Sequence, residues 1–229
     1  HPLISYRHLP AWLTERKWQR AELAKVLDRH VSQVLEHFKD DIQTWDVVGN
    51  VIAPNTALRN SVWLRVLGPE YIELAFKAAH RAAPRAKLFL HAEGMPGVQA
   101  NALFGLLHVL KLRGVPLHGV ALQMHLDLKH PLDPRVLNSQ LQRLASLDLE
   151  IHIMGLDVRI ENPVNRAKLF RQARSYRDLI DTCLAVKGCT SISLSGFTDR
   201  ESRVPYLYEN TNAAQVIDAR RSAGVWCCA

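Results

Sequence analysis

No apolar run in this sequence approaches the ~18 residues a helix needs to cross a bilayer, so a membrane-spanning role is not expected. The opening stretch, HPLISYRHLP, lacks the basic, apolar and small-residue layout of a secretion signal, which leaves a chain that is cytosolic, already processed or trimmed. Cysteine is scarce. The chain has 4, and neither pair has zinc-ligand spacing with a second half-site. Cys183 and Cys189 bracket LAVKG, a spacing that suits a short disulfide between a helix end and the next strand and leans toward an oxidising compartment. Cys227 and Cys228 are adjacent near the C-terminus, free or linked between chains. Acidic residues are outnumbered, 22 against 29 Lys and Arg, for a formal net charge of +7. The excess is scattered along helical patterns such as TERKWQRAELAKVLDRH, the mark of solvated helix faces, and no recognition motif accompanies it. No nucleic-acid partner is expected.

What is present is apolar material in alternating patterns. A 229-residue chain that is 48% hydrophobic and 22% charged is long enough for one sizeable core, and no composition break marks a boundary, so a single domain over 1–229 is expected. Strands are expected at 2–6, 42–48, 86–92, 117–125, 150–158 and 190–197. Helices are expected at 14–38, where Leu23, Val26, Leu27, Val31, Val34 and Leu35 recur three and four apart, then at 69–82 with Pro69 in the first turn, 97–113 ending at Gly114, 133–147, 165–186 and 212–222. Strand–helix alternation, with strands apolar on both faces, predicts a parallel sheet covered by helices. Six such units are visible. An eight-unit version would be a closed (β/α)8 barrel, whose chemistry sits at the C-terminal strand ends. Those ends carry Ser5, Tyr6 and His8; Gly49 and Asn50; His91 and Glu93; Gln123 and His125; Gly155 and Asp157; and Ser195.

In order and spacing, HPLISYRHLPAW, WDVVGNV, LRNSVWLRVLGPEYIELAFKAAHRAAPRAKLFL, GVPLHGVALQMHL, LEIHIMGLDV and SGFTDRESR resemble the family-10 glycoside hydrolases, the endo-β-1,4-xylanases. The resemblance covers nearly the whole chain. It implies an incomplete (β/α)8 TIM-barrel type with about six β/α units, corresponding to barrel strands three to eight. The sheet would then have two open edges unless another chain or the terminal segments cover them. It also implies an extracellular or secreted setting, and the Cys183–Cys189 pair resembles that family's usual disulfide. Family members hydrolyse with retention, using one carboxylic acid as proton donor and a second carboxylate as nucleophile. In the family pattern the donor ends a Trp-Asp-Val-Val-Asn-Glu motif, which here reads Trp45-Asp46-Val47-Val48-Gly49-Asn50. The nucleophile belongs to Thr-Glu-Leu-Asp-Val, which here reads Met154-Gly155-Leu156-Asp157-Val158. Asn50 and Gly155 therefore occupy the two catalytic positions, and neither an amide nor a bare glycine can do the work.

The sugar-binding shell differs as well. Ser5, Ser195 and Arg203 stand where the family has Trp, His8 where it has Gln, and His91-Ala92-Glu93 where it has Asn-Asp-Tyr. His1, Gln123 and His125 remain as substrate-binding candidates, His125 being the residue that normally supports the nucleophile. Retaining hydrolysis is not expected, and a weak carbohydrate binder, with xylo-oligosaccharide as ligand, or an assembly component is. The rival is an enzyme or small-molecule binder of another class, natural or engineered, using a mouth emptied at Ser5, Gly49, Gly155 and Ser195, with Glu93 or His125 as base. His91, Glu93 and His125 are the weak metal candidates. They lie on separate strands without a helical pairing, so neither a metal nor another cofactor is expected. Open sheet edges and the terminal cysteines leave a homo-oligomer or a covering partner chain as the third reading.

Overall fold

A computed structural model describes residues 2–94, 97–196, 204 and 211–212. His1, Arg203, Cys227, Cys228 and nearly all of the helix expected at 212–222 lie outside them. Five parallel strands run in order: β1 (Thr44–Gly49), β2 (Lys87–Glu93), β3 (Gly119–Asp127), β4 (Glu150–Glu161) and β5 (Cys189–Leu194). Between and before them lie α1 (Ala11–Thr14), α2 (Arg20–Phe38), α3 (Val62–Leu67), α4 (Tyr71–Ala82), α5 (Val98–Leu112), α6 (Pro134–Ala145) and α7 (Arg166–Leu184). A short β6 (Thr211–Asn212), which the sequence patterns do not predict, pairs antiparallel with the end of β4 at Ile160 and Glu161.

The sequence-based elements hold with four corrections. The strand expected at 2–6 is a single parallel bridge, Ile4 to Val48, with Leu3 and Ile4 N–H donating to the carbonyls of Asp46 and Val47. It stops there because the next polar groups bond side chains: Arg7 N–H donates to Ser5 Oγ, and Trp63 Nε1 donates to the Ser5 carbonyl. The helix expected at 14–38 is split between α1 and α2, and Trp18 Nε1 crosses the break to the Leu13 carbonyl. Helix α3 goes unpredicted because six residues are too few for a helical period, although Ser61 caps it by accepting from Leu64 N–H. Pro69 and Glu70 form a turn ahead of α4, so Pro69 is outside the first helical turn.

The main apolar cluster lies on the helix side of the sheet. Val47, Leu88, Leu90, Val120, Leu122, Ile151 and Ile153 are buried against Leu27, Phe76, Leu107 and Leu141 of the helices in one cluster. The other face is mixed where the sequence predicts an apolar one: Phe89, 0% exposed, and Ala121, 2% exposed, are buried there among polar groups. Register places Asp46 beside Phe89 and Gly119, then His91 beside Ala121 and His152, then Glu93 beside Gln123. The connection into β3 is pinned by a reciprocal pair: His118 N–H donates to the Leu88 carbonyl and Leu88 N–H donates to His118 Nδ1.

Two predictions follow from this packing. A Cβ at Gly119 would lie 2.2 Å from the Phe89 ring and 2.5 Å from the Glu150 carbonyl oxygen, whereas one at Gly105 on α5 meets nothing within 4 Å. Urea unfolding is expected to show Gly119→Ala destabilised by roughly 2 kcal/mol or more and Gly105→Ala stabilised by about 0.5–1 kcal/mol. Burial, reinforced by His80, Lys111 and Lys87 against the opposing pull of Glu150, holds the His118 imidazole below its ordinary pKa. A depressed histidine contributes stability above its ordinary pKa and loses it as pH falls through the lowered value. Stability should therefore be lower at about pH 5 than at about pH 7.5, and His118→Gln should narrow that difference in paired urea titrations.

Candidate active site

The C-terminal strand ends are shaped by two irregularities of register. Between β1 and β2, Asp46 pairs with Phe89 but Val48 with Leu90, so β1 holds one extra residue and Gly49 comes opposite His91. Between β3 and β4, Gln123 pairs with Met154 but His125 with Asp157, so β4 holds one extra residue. That extra residue brings Met154 and Asp157, three apart, into register with Gln123 and His125, two apart. Gly155 takes φ 59°, the left-handed conformation a glycine-initiated bulge requires and a side chain resists.

Asp157 is buried, 2% exposed, and accepts from His125 Nδ1 at 2.8 Å. A carboxylate only accepts, so the proton sits on Nδ1. Nε2 is left as a lone pair, which takes a hydrogen from Gln123 Nε2 at 2.8 Å. The three side chains form one satisfied chain, Gln123 to His125 to Asp157. In this arrangement His125 is not a free base. A Cβ at Gly155 would lie 3.6 Å from Gln123 Cγ and 4.0 Å from His125 Cε1, so Gln123 borders the place where a side chain is missing.

The β1 end is closed in a different way. A Cβ at Gly49 would strike Pro2 at 2.4 Å and lie 3.6 Å from His91 Nδ1. The room a glycine leaves at 49 is thus taken by the N-terminal segment and is not an open apolar cavity. Asn50 sits at φ 52°, donates its N–H to the His91 carbonyl at 2.8 Å, and buries its side-chain oxygen without a partner. Arg59 spans this end: Nε and Nη2 donate to the carbonyls of Asn50 and Ile52, its guanidinium lies 4.4 Å over the Tyr6 ring, and Nη2 is 3.9 Å from Glu93. Glu93 is half exposed and is the partner of a cation. His91 is buried, and neither ring nitrogen makes a hydrogen bond of normal geometry. Burial pulls its pKa down, opposed by Asp46 and by Gln123 close to the ring, while burial pushes the Asp46 carboxyl up.

The expected residues are thus distributed as follows. Gln123, His125, Gly155 and Asp157 meet at the β3–β4 end. Gly49, Asn50, His91 and Glu93 gather at the β1–β2 end, with Ser5 and Tyr6 beside them. Among the described residues no three His, Cys, Asp or Glu side chains are placed to share a metal ion, so His91, Glu93 and His125 do not form a ligand set. Cys183 and Cys189 form the expected disulfide. Arg59 and Pro2 are contributors that the sequence patterns do not single out. Arg59 comes from the loop after β1, and Pro2 reaches the site only because residues 3–4 lie along β1.

The buried chain predicts a specific response. With the Asp157 acceptor removed in Asp157→Ala, nitrogen-15 spectra should show His125 Nδ1 losing its preference for the proton. Urea unfolding should show a loss of about 2 kcal/mol, the cost of stripping a charged partner from a half-buried donor.

The family model for glycosyl hydrolase family 10 matches residues 1–223. The chain is 33% identical over 217 residues to endo-1,4-beta-xylanase A of Humicola insolens, covering 93% of this chain and 57% of that protein. It is 33% identical over 223 residues to endo-1,4-beta-xylanase B of Thermotoga neapolitana, covering 95% and 64%. It thus spans under two thirds of the length of these curated relatives. Xylanase 10B of Thermotoga maritima superposes with a TM-score of 0.92 at 34% identity, over 96% of this chain and 68% of that one. Xylanase 10B of Thermotoga petrophila, solved with xylobiose, gives the same figures. The open parallel sheet, its helices and these matches place the chain in a barrel family: it belongs to glycosyl hydrolase family 10.

Proposed function

We propose that this chain is a xylanase-like member of its family that does not carry out retaining hydrolysis and holds xylo-oligosaccharide weakly at the strand ends. One observation carries the reading. The Gln123–His125–Asp157 chain is intact and anchored on buried Asp157, yet it leads to Gly155, a residue with no side chain to attack a sugar. Across the sheet, Asn50 offers an amide where an acid is needed. Retention requires two carboxyls about 5–5.5 Å apart, one on each side of the scissile bond, and neither family position supplies one. The Gln123 amide has hydrogen-bonding capacity beyond its bond to His125 and suits sugar hydroxyls, and relatives solved with xylobiose and xylotriose bind such ligands.

The rival enzyme of another class gains no support from this geometry. Pro2 fills the space at Gly49, Gln123 borders Gly155, the His125 lone pair is engaged, and Glu93 is paired with Arg59. The formed disulfide supports a secreted setting, and no helix among the described residues is long and apolar enough to cross a membrane. The outer edge of β5, which no described strand pairs, is where a partner chain or a second copy would add.

The test is hydrolysis of soluble xylan and an aryl β-xyloside at high protein concentration, with Glu93→Gln as control, beside calorimetric titration with xylotriose. The expected result is no turnover above the control and saturable, weak binding that Gln123→Ala diminishes. Turnover exceeding Glu93→Gln would mean that Glu93 has taken over as a catalytic carboxylate and would end the non-hydrolytic reading. Absence of binding would end the carbohydrate reading.

A further inference from the structure

Helix α5 turns an uncharged, apolar side outward. Its inner side buries Leu103, Leu107 and Leu110 in the core cluster. The opposite side repeats Val98, Ala102, Gly105, Val109 and Leu112 at alternating intervals of four and three, which makes one stripe down a helix. Leu112 is 75% exposed, Val98 67% and Val109 44%. A Cβ at Gly105, in the middle of the stripe, meets nothing within 4 Å. Other helices differ: exposed Glu22, Lys25, Arg29 and Glu36 line α2, and exposed Lys77 and Arg81 line α4. The α5 sequence has no acid, and its one cation, Lys111, donates to the Asp148 carbonyl at 3.3 Å. Arg113, just past the helix, is bound to Glu73 of α4 at 2.5 Å.

The missing charge selects the occupant. A nucleic acid, an anionic lipid surface or an acidic peptide finds no opposite charge along the stripe. A second copy of the same face fits it, because the stripe is balanced about its centre: Val98 and Leu112 each lie seven residues from Gly105. A two-fold axis through Gly105, with the helices antiparallel, sets Val98 of each copy opposite Leu112 of the other. A groove of about 560 Å³, lined by Gly97, Ala100, Asn101 and Val136, opens between α5 and α6 at the Val98 end. Each copy thus offers a hollow beside the place where the other's protruding Leu112 arrives. The same axis brings Asn101 beside His108 of the second copy. Asn101 Oδ1 is taken by Arg143 at 2.7 Å, which leaves its amide hydrogens for that imidazole. Exposed Leu74 and Val136 continue the apolar surface onto α4 and α6. Three helices abreast at about 8–10 Å spacing, over the ~22 Å length of α5, present roughly 600 Å², which is what one partner contributes to the smallest stable interfaces.

We propose that this chain associates with a second copy of itself through the outer face of α5, paired antiparallel about Gly105. The surface lies on the outside of the helix layer and uses none of the strand-end residues, so the inference stands apart from the proposed function.

The experiment is sedimentation velocity of the full chain from about 1 to 500 μM, with Cys227→Ser and Cys228→Ser in every sample so that the terminal cysteines cannot link chains. The expected result is a reversible shift from monomer to dimer as concentration rises. Val98→Glu and Leu112→Lys, both at exposed positions that leave the fold intact, should each weaken that dimer about tenfold or more, because an unpaired charge is buried twice. An equimolar mixture of the two variants should regain dimer, since the antiparallel pairing then sets the new Glu opposite the new Lys at one end and Val98 opposite Leu112 at the other. A chain that stays monomeric across the range would overturn the proposal. A dimer that neither variant weakens would place the contact elsewhere, such as the β5 edge, and would overturn it equally. A dimer lost in both variants and not regained in the mixture would overturn the pairing about Gly105.

Discussion

The structure depends on the period of two along a parallel strand and on two breaks in that period, in β1 and β4, near the C-terminal strand ends. An unbroken strand sends alternate side chains to opposite faces, which here means helices on one side and polar groups mixed with buried Phe89 on the other. One extra residue in β1 and one in β4 re-aim the strand ends, so that Gly49 meets His91 and Asp157 meets His125. Gly155 permits the second break because only a residue without a side chain adopts its backbone conformation at little cost. The same glycine leaves no side chain beyond the histidine–aspartate pair.

The burial pattern separates what folds the chain from what the chain can bind. Leu88, Leu90, Val120, Leu122, Ile151 and Ile153 are dry and face helices, so the hydrophobic contribution to stability lies on that side. The polar face holds groups in three conditions. Asp157, His125 and Gln123 satisfy one another. Asp46 and His91 are shifted by burial toward their neutral forms. Asn50 and His91 keep atoms without partners. Unpaired groups of this kind mark the places where water or a ligand gains most.

Much of the site was legible in the chain. Trp45-Asp46-Val47-Val48-Gly49-Asn50 and Met154-Gly155-Leu156-Asp157-Val158 announce two strand ends by their position in a family pattern; Gly49 does end β1, whereas β4 continues past Asp157 to Glu161. Arg59, by contrast, was invisible. It contacts Asn50, Ile52, Tyr6 and Glu93 only after a loop folds back, and no period or spacing encodes that return. The emptied cavity inferred from small residues failed at Gly49 for the same reason, since Pro2 arrives there from the N-terminal segment.

The sequence by itself determined the alternation of strands and helices, the family, the disulfide partners and the absence of carboxylates at positions 50 and 155. Each of these is a matter of local pattern or of residue identity, which the chain carries before it folds. Only the tertiary structure decided the single bridge at Ile4, the break between α1 and α2, the mixed inner face, the direction of the His125 proton and the filling of the space at Gly49 by Pro2. These depend on which distant atoms come within hydrogen-bonding reach once the sheet has formed, and a distance of three ångströms between residues far apart in sequence is a property of packing.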